Sequence, residues 1–171
     1  MDHKAFYYVD GTPTKGKWID LEFIDNTDEI LEELATANII HRNEDGELEY
    51  GGDLLVSDVD GDLVSAFHGK YDTFNLDDFT DARDRLKSDD EMEAAAKWID
   101  YCGTWDYSDF RDNYRGHYDS EQDFAQELEE ETGSLSDVPE HLRGYIDWES
   151  YARDLFTNGY VFLDGYVFDS N

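Results

Sequence analysis

Tyr160-Val161-Phe162-Leu163, Asp164-Gly165, Tyr166-Val167-Phe168 is the stretch whose reading decides the fold class. Two runs of aromatic and β-branched residues flank an Asp-Gly pair, the combination that suits a two-residue type I′ hairpin, in which both central residues take positive φ. Immediately upstream the period changes from two to about 3.6. Asp147 opens a segment in which Tyr151, Leu155 and Phe156 recur at helical spacing before Gly159, which predicts a helix that buries those three side chains. A helix running directly into a hairpin is the mark of an α+β fold rather than of an alternating parallel one.

Working back from this end, Glu121 to Thr132 predicts another helix, with Ser120 as N-cap, Gly133 as stop and Phe124, Ala125 and Leu128 buried. Between Trp105 and Asp119 the aromatics Tyr107, Phe110, Tyr114 and Tyr118 are interleaved with aspartates. The middle of the chain is helical. Leu76, Phe79, Arg83 and Leu86 fall at helical spacing, and Ser88 with Glu91 forms a capping box ahead of Met92, Ala95, Ala96, Ile99 and Tyr101, with Gly103 at the C-terminal end. At the N-terminus Ala5–Val9 and Lys17–Ile24 read as strands. Alternation in the second places Ile19, Leu21 and Phe23 on one apolar face, opposite Trp18, Asp20, Glu22 and Ile24. A helix over Thr27–Ala37 follows, capped by Asn26 with Glu29, its stripe being Ile30, Leu31, Leu34 and Ala35; a strand is expected at Leu54–Val56. The predicted organisation is an α+β part over 1–62, a helical part over 63–103 and an α+β part over 104–171.

Hydrophobic residues make up 39% of the 171 and aromatics 15%, too much apolar material for a disordered acidic tail. Against 44 Asp and Glu stand 13 Lys and Arg, a formal net charge of -31. Like charges repel across a compact fold, and each acidic i,i+4 pair on a helix costs about 0.2–0.5 kcal/mol, so such a surface implies a purpose outside the fold. The field repels phosphates and attracts basic grooves, which points to a nucleic-acid-binding protein as partner and away from nucleic acid itself. Two other functions share the composition: a salt-adapted surface whose charge serves solubility, and an acidic chaperone of basic proteins.

The single cysteine, Cys102, lies near Trp98, Ile99 and Tyr101 and reads as a small core thiol in a reducing cytoplasm. No apolar run approaches the ~18 residues of a membrane span, and Met1 to Asp10 lacks the pattern of a secretory leader. No catalytic, cofactor-binding or metal-binding residue is predicted. His3, His41, His68, His117 and His141 are scattered, and no phosphate-binding glycine loop or nucleophile elbow occurs. Asp58, Asp60 and Asp62 around Gly61 resemble an oxygen-ligand loop, but an EF-hand register would put Val56 in its first position and Phe67 in its last, so a turn is expected instead.

The informative feature is the acidic helix near the start of the last third, Gln126-Glu127-Leu128-Glu129-Glu130-Glu131-Thr132-Gly133. Asp123, Glu127, Glu130 and Glu131 share one face, a row of like charges on a stiff rod. Duplex DNA carries one charge per ~1.7 Å of axis, so a net -31 equals the charge on about 50 Å of duplex. The expected interaction surface is distributed over Asp106, Asp109, Asp112, Asp119, Glu121, Asp123, Glu127, Glu129, Glu130, Glu131, Asp147, Glu149 and Asp154.

Several stretches are similar to a known family. Tyr114-Arg115-Gly116-His117-Tyr118, Asp123-Phe124-Ala125-Gln126-Glu127-Leu128 and, most specifically, Tyr145-Ile146-Asp147-Trp148-Glu149-Ser150-Tyr151-Ala152-Arg153-Asp154-Leu155-Phe156 resemble the C-terminal half of ArdA-type antirestriction proteins. Gly16-Lys17-Trp18-Ile19-Asp20 and Ser57-Asp58-Val59-Asp60-Gly61 resemble shorter family segments upstream, whereas 67–97 offers little to align. The resemblance implies an elongated, three-domain acidic homodimer that imitates bent B-form DNA and occupies the DNA-binding groove of type I restriction-modification enzymes. It also implies carriage on mobile elements, action in the host bacterial cytoplasm, no contact with nucleic acid or membrane, and an antirestriction segment over Gln126–Gly133.

Overall fold

The computed structural model describes residues 3–170. The fold is α+β, and the chain divides into two compact units, Met1–Trp105 and Asp106–Asn171.

In the first unit β1 (Lys4–Val9) is the centre of a three-stranded antiparallel sheet, between β2 (Gly16–Asp20) and β5 (Leu54–Asp60). Ala5 lies opposite Ile19 and Tyr8 opposite Leu55. The inward residues Ala5, Tyr7, Ile19 and Val56 meet the stripe Ile30, Leu31 and Leu34 of α1 (Thr27–Thr36) in being buried, as their spacing requires. The Asn26 side chain accepts from the Glu29 N–H at 3.1 Å, while the Glu29 carboxylate reaches back to the Asp25 N–H at 2.8 Å, one residue earlier than in a standard capping box. Two short strands, β3 (His41–Arg42) and β4 (Leu48–Glu49), form a small hairpin that alternation did not reveal, because two-residue strands have no period to read. Gly61, at φ +116, makes the turn from β5 into α2 (Asp62–Ala66).

The strand predicted over Lys17–Ile24 ends early. At Asp20 the chain enters a 3-10 turn, Leu21–Phe23, with the Asp20 carboxylate accepting from the Glu22 N–H at 3.0 Å. The turn inverts the expected faces: Ile24 is buried and Phe23 is 84% exposed.

Helices α3 (Leu76–Arg85) and α4 (Asp89–Cys102) follow, and α4 packs on α2. Phe79 of α3 meets Phe67 edge-on at 6.0 Å and His3 at 5.6 Å, and Tyr7 meets Phe74 at 6.3 Å, so strand and helices share aromatic contacts. Such edge-to-face pairs add about 0.5–1.5 kcal/mol each beyond burial. The Ser88 cap accepts from Glu91 at 3.1 Å and Gly103 adopts the left-handed cap at φ +80. Cys102 is exposed, against the expectation of a core thiol: the buried face of α4 is Ala94, Ala95, Ala96, Trp98 and Ile99, and Tyr101 and Cys102 lie past it at the open end of the helix.

The second unit contains α5 (Tyr107–Asn113), β6 (Tyr114–His117), α6 (Glu121–Thr132), the single turn α7 (Glu140–Arg143), α8 (Trp148–Asn158), β7 (Tyr160–Leu163) and β8 (Tyr166–Asp169). The predicted hairpin is β7–β8, with Asp164 at φ +51 and Gly165 at φ +101 as its turn. Strand β8 is central, its other neighbour being β6, and Tyr166, Val167 and Phe168 are all buried. Helix α6 packs on α8. Here burial is shallower than expected: Leu128, Tyr151, Leu155 and Phe156 are half-buried, and Ala152 is the buried residue of α8.

Candidate functional site

The second unit carries 17 Asp and Glu against four Arg and no Lys. Of the four, Arg115 pairs with Asp169, Arg143 donates to the carbonyls of Val138 and Leu135 at 3.1 and 2.9 Å, and Arg153 donates to Ser150 Oγ at 3.0 Å, all partners within the unit. Asp169 lies outside the predicted acidic set, so that pair leaves the set's charge intact.

Helix α6 is the densest part. Ser120 Oγ accepts from the Asp123 N–H at 3.1 Å and donates to the Asp123 carboxylate at 2.6 Å, which fixes the start; Gly133, at φ +70, fixes the end. Phe124 anchors the helix, meeting Tyr118, Phe156 and Tyr160 edge-on at 5.1, 5.6 and 4.8 Å. Twelve residues span about 18 Å of helix axis, and six of them are acidic, giving one charge per ~3 Å, close to the ~3.4 Å spacing along one strand of a duplex. The placement opposes stability. Glu129, Glu130 and Glu131 lie in the last turn, where the helix dipole disfavours anions, and no basic residue is there to offset them.

Of the thirteen predicted surface acids, Asp106, Asp109, Asp112, Asp119, Asp123, Glu127, Glu130, Glu131, Asp147, Glu149 and Asp154 are exposed, and Glu121 and Glu129 are half-buried. Two also cap helices, and Glu129 binds a tyrosine. Asp106 caps α5 by accepting from the Asp109 N–H at 2.8 Å. Asp147 caps α8, accepting from the Ser150 N–H at 3.1 Å and its hydroxyl at 2.8 Å, and those bonds hold its carboxyl below the usual range. Glu129 accepts the hydroxyl proton of Tyr151, and this hydrogen bond pushes the tyrosine up to about 12. Tyr118 is raised as well, first by burial and then by the charges of Glu127 and Glu131. The two tyrosines therefore brace the acidic helix, a role that its own repeat could not disclose because their partners lie at tertiary distance. Asp119, Glu121 and Glu149 converge with Arg153 on an open groove of about 610 Å³ between the start of α6 and α8. Asp154 lies on a separate hollow beside Tyr151 and Tyr160.

Among the described residues no cluster of His, Cys, Asp and Glu is arranged to hold a metal ion, and no helix is long and apolar enough to cross a membrane. The acidic surface has the chemistry of a polyanion. A family model described as antirestriction protein (ArdA) matches residues 6–168. The chain belongs to the ArdA antirestriction family. The match runs through 67–97, where the resemblance in sequence was thinnest, and reaches from β1 to the end of the β7–β8 hairpin. No curated protein matches the chain. Membership of the ArdA family implies an antirestriction function for the chain.

Proposed function

We propose that this ArdA-family chain inhibits type I restriction-modification enzymes by imitating DNA, its carboxylates occupying the basic groove that otherwise holds a duplex. The observation that carries the reading is helix α6, whose acids match on average the charge per length of one DNA strand, three of them standing at the helix end where they cost stability. A fold would not keep that arrangement for its own sake. The thirteen acids act as a summed field, so affinity comes from charge and positioning, with no base to recognise and no bond to break; the protein is an inhibitor without a catalytic residue. The same reading makes it a homodimer, carried on a mobile element and working in the cytoplasm of the host bacterium.

The test is competition. The purified chain should displace a labelled duplex from the methyltransferase core of a type I enzyme, with inhibition weakening steeply as salt rises. Absence of displacement at stoichiometric excess in low salt overturns the reading. Thermal stability that falls sharply on removing salt, in a chain without effect on the enzyme, would favour salt adaptation instead.

A further inference from the structure

The turn that follows β2 holds an apolar ring in solvent with buried machinery. Phe23 is 84% exposed, while its neighbours Leu21 and Ile24 are buried. One exposed apolar side chain is ordinary on a protein surface; the way this one is held is not. Arg83, on α3, has a side chain only 8% exposed, and its Nη1 donates to the carbonyl oxygens of both Leu21 and Ile24 at 2.7 Å. Its Nη2 donates to Asp25 at 2.7 Å and its Nε to Asp84 at 2.8 Å. On the other flank the Leu21 N–H donates to the His3 carbonyl at 2.6 Å, and Asp20 caps the turn.

A guanidinium is costly to bury unless its donors are satisfied, and here the carbonyls of the turn, Asp25 just after it and Asp84 beside Arg83 on α3 satisfy them. The result is a rigid platform whose outward residue is Phe23, flanked by the exposed carboxylates of Asp20 and Glu22. A polar residue would stay in solvent without such a clamp. Because the backbone beneath the ring is already fixed, docking costs only the ring's own rotamer freedom, which is small for a two-torsion aromatic side chain.

We propose that Phe23 is an aromatic contact of the inhibitor, stacking on an arginine guanidinium of the target's basic groove while Asp20 and Glu22 supply charge beside it. This rests on the DNA-groove reading above and adds a contact that the phosphates of a duplex cannot make. Stacking on a planar cation is short-range, so salt screens it far less than it screens the separated charges of the surface. Arg83 is a positioning residue in this scheme, acting through the turn.

The experiment is the displacement of a labelled duplex from a type I methyltransferase core, run over a salt series with the full-length chain. Phe23→Ala should weaken competition by about tenfold or more at every salt concentration, with an unchanged salt slope and an unchanged melting temperature, and Phe23→Trp should stay within about threefold of the parent. Arg83→Lys keeps the charge but not the fork; it should weaken competition and speed amide exchange at 21–25, and in the Phe23→Ala background it should weaken competition no further. If the parent chain displaces DNA and Phe23→Ala does so equally well, this proposal is wrong and the groove reading stands. If the parent displaces nothing, both fall. A lowered melting temperature for Phe23→Ala, or additive losses with Arg83→Lys, would mean a structural role and would also overturn it.

Discussion

Replacing Glu127, Glu130 and Glu131 together by glutamine should make the protein more stable and a worse inhibitor. All three are exposed on α6. Neutralising them relieves the like-charge pairs Asp123/Glu127, Glu127/Glu130 and Glu127/Glu131, each at three- or four-residue spacing and each costing about 0.2–0.5 kcal/mol. Removing Glu130 and Glu131 from the last turn also relieves about 0.3–1 kcal/mol apiece of unfavourable interaction with the helix dipole. The gain is therefore on the order of 1–3 kcal/mol, a rise of several degrees in melting temperature for a unit of this size. Glutamine keeps the side-chain length, so packing is preserved. Loss of three exposed charges that face a cationic groove costs about 0.2–1 kcal/mol each, hence a threefold to hundredfold weaker competition at low salt, on the order of the summed value of three surface pairs. The log–log salt slope should also become shallower. Calorimetry and duplex displacement on the same preparation read both quantities. A triple variant that loses stability, or that competes as well as its parent, would refute the claim that these acids serve a partner at the expense of the fold.

Two further outcomes concern the frame that carries the acids. Because the hydrogen bond to Glu129 holds the Tyr151 hydroxyl protonated, its pKa in the folded protein, about 12, lies above the ordinary value of roughly 10, so its contribution to stability is present below that ordinary value and is lost as pH rises through the folded one. The difference between the alkaline absorbance titrations of the parent and Tyr151→Phe should have its midpoint near pH 12; a midpoint near pH 10 would mean the hydrogen bond is absent in solution. Gly165→Ala should destabilise more than Gly133→Ala: both glycines have positive φ, but a Cβ on Gly165 would lie 2.7 Å from His117 Nε2, whereas one on Gly133 meets open space. About 1–2 kcal/mol is expected at Gly133 from backbone strain alone, and more at Gly165, measured by urea denaturation.

Much of this molecule is legible over short windows of sequence. The caps Asn26, Ser88 and Ser120, the stop at Gly133 and the Asp164-Gly165 turn each depend on residues within a few positions of one another, so local chemistry determined them and the structure has them where the pattern placed them. The α+β class and the charge that points to a basic partner follow from the same local and compositional facts. Tertiary structure alone decided the rest. Nothing near Phe23 says that it faces solvent and Ile24 the core; the turn is held by Arg83, about sixty residues later. Strand β6 was missed because its Tyr-Arg-Gly-His is a strand only by virtue of pairing with β8 near the end of the chain. Likewise Glu129 and Glu130 are adjacent and chemically identical, yet one is bound by Tyr151 from α8 and the other faces solvent. Short-range interactions are written in neighbouring residues, whereas which side chain a distant arginine, strand or tyrosine meets is settled only when the chain has closed on itself.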